Sequence, residues 1–137
     1  MTPDQLLERI AALLRRDIGP AVGDEYPRTQ AFMTGVVLQK LGRQLALADA
    51  HRAAEAADIN ALIGDLDAAL ASGGAPPTIV AAIAALRRDR DNQALCALIG
   101  ALYEDRASLG AARFEALLSR VRHTLRASID RRMEFAA

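Results

Sequence analysis

The chain has 137 residues, 52% of them hydrophobic and 25% charged, a balance that is globular rather than disordered. Its 17 basic and 17 acidic residues cancel, which argues against a dedicated nucleic-acid or membrane-surface binder, because both depend on summed positive charge. Cys96 is the only cysteine, so an intrachain disulfide is excluded and a reducing compartment is expected.

Thr2-Pro3-Asp4-Gln5 predicts a helix start. Thr2 is suited to cap, Pro3 to the first helical position, and Gln5 to close a capping box. Asp4 and Glu8 stand where a signal peptide needs basic and then apolar residues, so no leader is expected and the expected location is the cytoplasm. Leu6, Leu7, Ile10, Leu13, Leu14 and Ile18 form one stripe, and Gly19-Pro20 is predicted to end the helix.

After a loop over residues 21–25 comes YPRTQAFMTGVVLQKLGRQLAL, residues 26–47. Phe32, Met33, Val36, Val37 and Leu38 make its first half apolar on almost every side, which predicts a helix buried all round. Leu38, Leu41 and Leu45 then hold one face. Gly35 and Gly42 lie two turns apart, and small residues there allow a second helix to approach closely. A second reading of the same glycines is a ligand groove beside Gly35 and Gly42, with Tyr26 and Phe32 at its edge.

Residues 48–58 are Ala-rich and lack a large apolar side chain, so they read as a solvated continuation or a bend. Ile59, Leu62, Ile63, Leu66 and Leu70 restore the stripe. Ser72-Gly73-Gly74-Ala75-Pro76-Pro77 is the clearest break. A short helix follows, with Ile79, Val80, Ile83 and Leu86 expected inward. Asp91 or Asn92 caps the next, which carries Leu95, Leu98, Ile99 and Leu102, with Cys96 read as a buried structural thiol. Residues 108–110 form another break. Phe114, Leu117, Leu118, Val121, Leu125, Ile129 and Met133 line the last helix, whose other face is rich in Arg. The sum is an all-α fold, a compact bundle of about five or six helices around a buried central helix, in a single helical domain over residues 1–137.

No stretch carries a complete catalytic or cofactor motif. His51, Glu55 and Asp58 share one helical face at i, i+4 and i+7, and with His123 they are the weak candidates for a metal site. Two histidines supply few ligands, and the surrounding Ala-rich stretch offers no apolar shell, so the expectation is no metal, no cofactor and no catalytic residue. Adjacent carboxylates such as Asp65 and Asp67 point in different directions on a helix and form no dyad. The acidic segment 49–71 and the Arg-rich last helix are suited to meet, within one molecule or between two.

The pattern LLERIAALLRRDIGP, then YPRTQAFMTGVVLQKLGRQL, then VRHTLRASIDRRMEF resembles a bacterial helical domain of unknown function, met near aminoglycoside-phosphotransferase-like kinases and acyl-CoA dehydrogenases. The resemblance covers about half of the chain and implies an accessory or partner role without implying a reaction. The first expectation is therefore a small cytoplasmic accessory or interaction protein with no catalytic activity of its own, able to form a homodimer, with a protein partner or self-association and without membrane or nucleic acid. The second is a small-molecule-binding bundle with its pocket beside Gly35 and Gly42. The third and weakest is a metal-dependent enzyme using His51, Glu55 and His123.

Overall fold

A computed structural model describes residues 1–134, and every regular element among them is helical. The chain is all-α, as its periodicity predicts. The last three residues, including Phe135 of the final quoted stretch, lie outside the described residues.

Helix α1 spans Pro3–Leu13 and starts as expected: the Thr2 backbone N–H donates to Gln5 Oε1 at 3.1 Å. Gly19-Pro20 does not end the helical path. A π-helical turn over Leu14–Ile18 leads into α2, Gly19–Ala21, and only 22–24 leave the helix. Proline at the start of a helical turn lacks only an N–H that would be unbonded there, so Pro20 is tolerated. Arg28 holds the connection by donating through Nε to the Val22 carbonyl and through Nη2 to the Gly23 carbonyl, at 2.9 and 3.0 Å.

Helix α3 then runs unbroken over Glu25–Ala71. Residues 48–58 are helical and belong to it, in keeping with the high helix propensity of Ala. Next come α4 at Pro77–Asp89, α5 at Asn92–Glu104, the short α6 at Arg106–Leu109 and α7 at Ala111–Glu134. Asp91 caps α5, its Oδ1 accepting from the Ala94 N–H at 2.8 Å. Gly110, at φ 80°, provides the left-handed turn into α7.

The backbone gathers into two compact units. One is Met1–Arg52 together with 132–134, and the other is Ala53–Arg131. The division falls inside α3 and not at the Ser72–Pro77 break, because the stripes on both sides of that break are buried together in the second unit. Its core is Ile59, Leu62, Leu66 and Leu70 of α3, Ile79, Ile83 and Leu86 of α4, Leu95, Leu98 and Leu102 of α5, Leu109 of α6, and Phe114, Leu117, Leu118 and Val121 of α7. The Tyr103 ring meets Phe114 edge-on at 5.1 Å. Val80, Ile129 and Met133, expected inward, are exposed, as is Cys96. Val80, Cys96 and Ile129 each follow a buried residue of their helix, and one residue turns the side chain by about 100°. Met133 lies beyond Ser128, the last buried residue of α7 among those described.

The second unit also contains the meeting of acidic and basic helices. Arg120 Nε donates to Asp65 Oδ2 and Arg131 Nη2 to Asp58 Oδ2, both at 2.7 Å, while Arg113 Nη2 donates to the Gly74 carbonyl at 3.0 Å. These arginines of α7 are thus engaged within the chain.

The first unit has no comparable core. Its buried residues are Ala11, Gly19, Gly35 and Gly42. The expectation that residues 26–47 are enclosed on nearly all sides is therefore corrected: Met33, Val37, Leu41 and Leu45 are about half exposed, and Phe32 is at the edge of exposure. An apolar surface all round shows what a helix is able to bury, but here α1 covers only the side that carries the glycines.

Candidate functional site

The site is the α1–α3 hairpin of the first unit. Its seam is made of small residues. A Cβ added at Gly42 would lie 3.1 Å from the Asp4 carbonyl oxygen and 3.4 Å from Leu7 Cβ. At Gly35 it would lie 2.6 Å from Arg15 Cγ and 3.1 Å from the Ala11 carbonyl oxygen. The two glycines let α1 lie directly on the backbone of α3, which is the close-approach reading of their spacing. At the turn end, the Phe32 ring packs over Gly19 in the same way.

These contacts fix an antiparallel register, with Leu7 beside Gly42 and Ala11 beside Gly35. Leu6 then lies nearly level with Leu41, Ile10 with Val37 and Leu13 with Met33, each to within about 3 Å along the axis at 1.5 Å per residue. Leu6, Ile10 and Leu13 sit about a quarter-turn to one side of the Leu7–Ala11–Leu14 row. Val37, Leu41 and Leu45 sit about a quarter-turn to the same side of the Gly35–Leu38–Gly42 row. Together they make one apolar face of the hairpin, with each of these side chains between 38% and 54% exposed.

The opposite side is polar. Arg15 Nη1 donates to Gln39 Oε1 at 2.8 Å across the two helices. A groove of about 320 Å³ runs there between Glu8, Ala12, Arg15 and Phe32, and a second of about 210 Å³ lies between Asp4, Glu8, Gln39, Gly42 and Arg43. A hydrogen bond from the Thr2 side chain holds the Asp4 carboxyl below the usual aspartate value.

The sequence-predicted pocket residues separate. Phe32 and Gly42 line these two polar grooves, Gly35 is closed over by Arg15, and Tyr26 projects into solvent. The metal candidates are each engaged differently. His51 Nε2 is 2.8 Å from Glu134 Oε2 in the first unit. In the second unit Glu55 accepts from Ser128 Oγ at 2.6 Å, Asp58 pairs with Arg131, and His123 is exposed on α7. Among the described residues no group of three or more His, Cys, Asp or Glu is placed to hold a metal ion.

Two buried polar residues of α7 escape the stripe analysis, Thr124 and Ser128. Ser128 bonds Glu55, and Thr124 Oγ1 accepts from Arg120 at 2.8 Å. They continue the Leu117–Val121 row at spacings of three and four, and that spacing is the signal that finds them.

Set against protein-family models, curated proteins and solved structures, the chain matches none. The functional reading therefore stands on the hairpin itself. What that surface offers is dispersion and the release of water, with no nucleophile, general base or metal-ligand set on its apolar side. Among the described residues no helix is long and apolar enough to cross a membrane.

Proposed function

We propose that this chain is a small cytoplasmic accessory protein that works by docking to protein and carries no catalysis of its own. A single observation carries the reading. The hairpin of the first unit leaves a row of large apolar side chains half exposed, while the second unit encloses a core of leucines, isoleucines and Phe114. Contiguous exposed apolar surface of several hundred Å² marks interaction sites on soluble proteins. The accessory role implied by the sequence resemblance agrees with it. A small-molecule role beside Gly42 has less support, because the grooves there are lined by charged side chains such as Asp4, Glu8 and Arg43, whereas ligand sites are mostly apolar.

The test uses Val37→Asp, measured at low protein concentration. On a docking face the substitution keeps the helical circular dichroism and melting temperature within a few degrees, and it abolishes binding of a hydrophobic dye such as anilinonaphthalene sulfonate. If Val37 instead packs against the chain's own interior, the variant loses several kcal/mol of stability through an unpaired buried charge. That result would end the docking proposal.

A further inference from the structure

We propose that the groove between α3 and α4 binds a small amphiphile, a monocarboxylate with a short apolar tail whose head is held by Arg87. The groove lies wholly in the second unit and does not depend on the docking role of the hairpin.

Its shape follows from the antiparallel pairing of the two helices. Asp67 and Arg87 meet at one end. From there α3 runs towards the Ser72–Pro77 connection and α4 runs away from it, which sets Ala71 nearly level with Ile83 and Ala75 nearly level with Val80. The seven steps from Arg87 to Val80 give a length of about 10 Å at about 1.5 Å per residue. The volume is about 400 Å³, within the range of about 300–1,000 Å³ for small-molecule sites. Ala75 stands at the far end, in a connection that Arg113 ties to α7 through the Gly74 carbonyl.

The lining suits a tail. Leu70 and Ile83 are buried and form the floor, and Val80 is an exposed wall. Ala71 and Ala84 stand where larger side chains would fill the space between the helices. Apart from one ion pair the lining is apolar, unlike the grooves beside Gly42.

That ion pair selects the head. Arg87 Nη2 donates to both carboxylate oxygens of Asp67 at 2.5 Å. Its Nε and Nη1 make no further hydrogen bond among the described residues, so one edge of the guanidinium keeps its donors. Asp67 thus orients a planar fork whose free edge matches a carboxylate bidentately. The pair is neutral as a whole, so a singly charged head fits it better than a phosphate dianion, which Asp67 would repel. A cationic head would meet Arg87 and find both Asp67 oxygens already accepting.

A chemical-shift titration of the isotope-labelled full chain with sodium octanoate tests the site. The amides of Leu70, Ala71, Val80 and Ala84 should shift together and saturate, with a dissociation constant on the order of 1 mM or tighter. Octanol, with the same tail and no charge, should bind about tenfold more weakly, and Arg87→Gln should bring octanoate down to the octanol level. Both partners of the ion pair are half exposed, so that variant should melt like the parent. Ala84→Leu fills the groove from an exposed helical position and should abolish binding of both compounds with the fold retained. No saturable shift by about 10 mM octanoate overturns the site. Octanol as tight as octanoate, or Arg87→Gln without effect, overturns the carboxylate head. Saturable shifts confined to the α1–α3 hairpin of the first unit would seat octanoate there, overturning the groove and leaving the docking face standing.

Discussion

Two glycines of the same helix should respond in opposite senses to the same substitution. Gly64 and Gly35 both lie inside α3, where replacing Gly by Ala contributes about 0.8–1.0 kcal/mol of helix propensity. A Cβ at Gly64 meets nothing within 4 Å, so Gly64→Ala should keep that whole gain. At Gly35 the new methyl lies 2.6 Å from Arg15 Cγ, about 1 Å inside the usual carbon–carbon contact, and 3.1 Å from the Ala11 carbonyl oxygen. Cγ is close to the root of the arginine side chain and the carbonyl belongs to the backbone, so α1 itself must shift. Overpacking of this kind costs about 1–3 kcal/mol, which cancels or exceeds the propensity gain. The Arg15–Gln39 hydrogen bond is also strained by the shift. Gly35→Ala should therefore leave the hairpin unchanged or weaken it by up to about 2 kcal/mol. Native-state hydrogen exchange reads the two units separately. Gly64→Ala should slow exchange about fivefold around Leu62 and Leu66, and Gly35→Ala should leave exchange in α1 unchanged or faster. If α1 amides gain protection in Gly35→Ala as those near Leu66 do in Gly64→Ala, α1 does not lie on that seam, and both the register and the apolar face derived from it fail.

Removing the cap of α5 with Asp91→Ala should cost about 1 kcal/mol, seen as a drop of a few degrees in the thermal midpoint with no loss of helix content at 25 °C. Asp4 titrates below the ordinary aspartate value, so its stabilising contribution is complete above about pH 4 and is lost as pH falls through its lowered folded value. An acid titration followed by the amide signals of the first α1 turn should show this, and Asp4→Asn should remove the pH dependence.

The core of the second unit is legible in the sequence because each stripe there has a partner stripe. Ile59–Leu66, Ile79–Leu86, Leu95–Leu102 and Phe114–Val121 all land where a 3.6-residue period places them. Cys96 and Val80 go astray for a local reason: a residue adjacent to an inward row belongs to the rim, and apolar character alone does not move it inside. The hairpin is a different matter. Its stripes are read correctly as apolar, and the small-residue seam at Gly35 and Gly42 is foreseen, yet burial of residues 26–47 is not found. Periodicity reports which side of a helix avoids water, whereas burial also requires a neighbour, and neighbours are set by tertiary arrangement. The π-helical turn over Leu14–Ile18 has no sequence signal either, since it adds one residue per turn without altering composition.

The uneven distribution of large buried side chains bears on how the protein matures. Residues 1–52 are synthesised before residues 53–131, so the coreless hairpin leaves the ribosome ahead of the unit that has a core. A pair of helices with little beyond alanine and glycine at its centre is marginal in water, because nucleation and chain ordering cost more than such contacts return. The later segment, with Phe114 and its leucine shell, has what it needs to condense by itself. Ordering of these two segments then runs against the direction of translation, the later-made one condensing before the earlier.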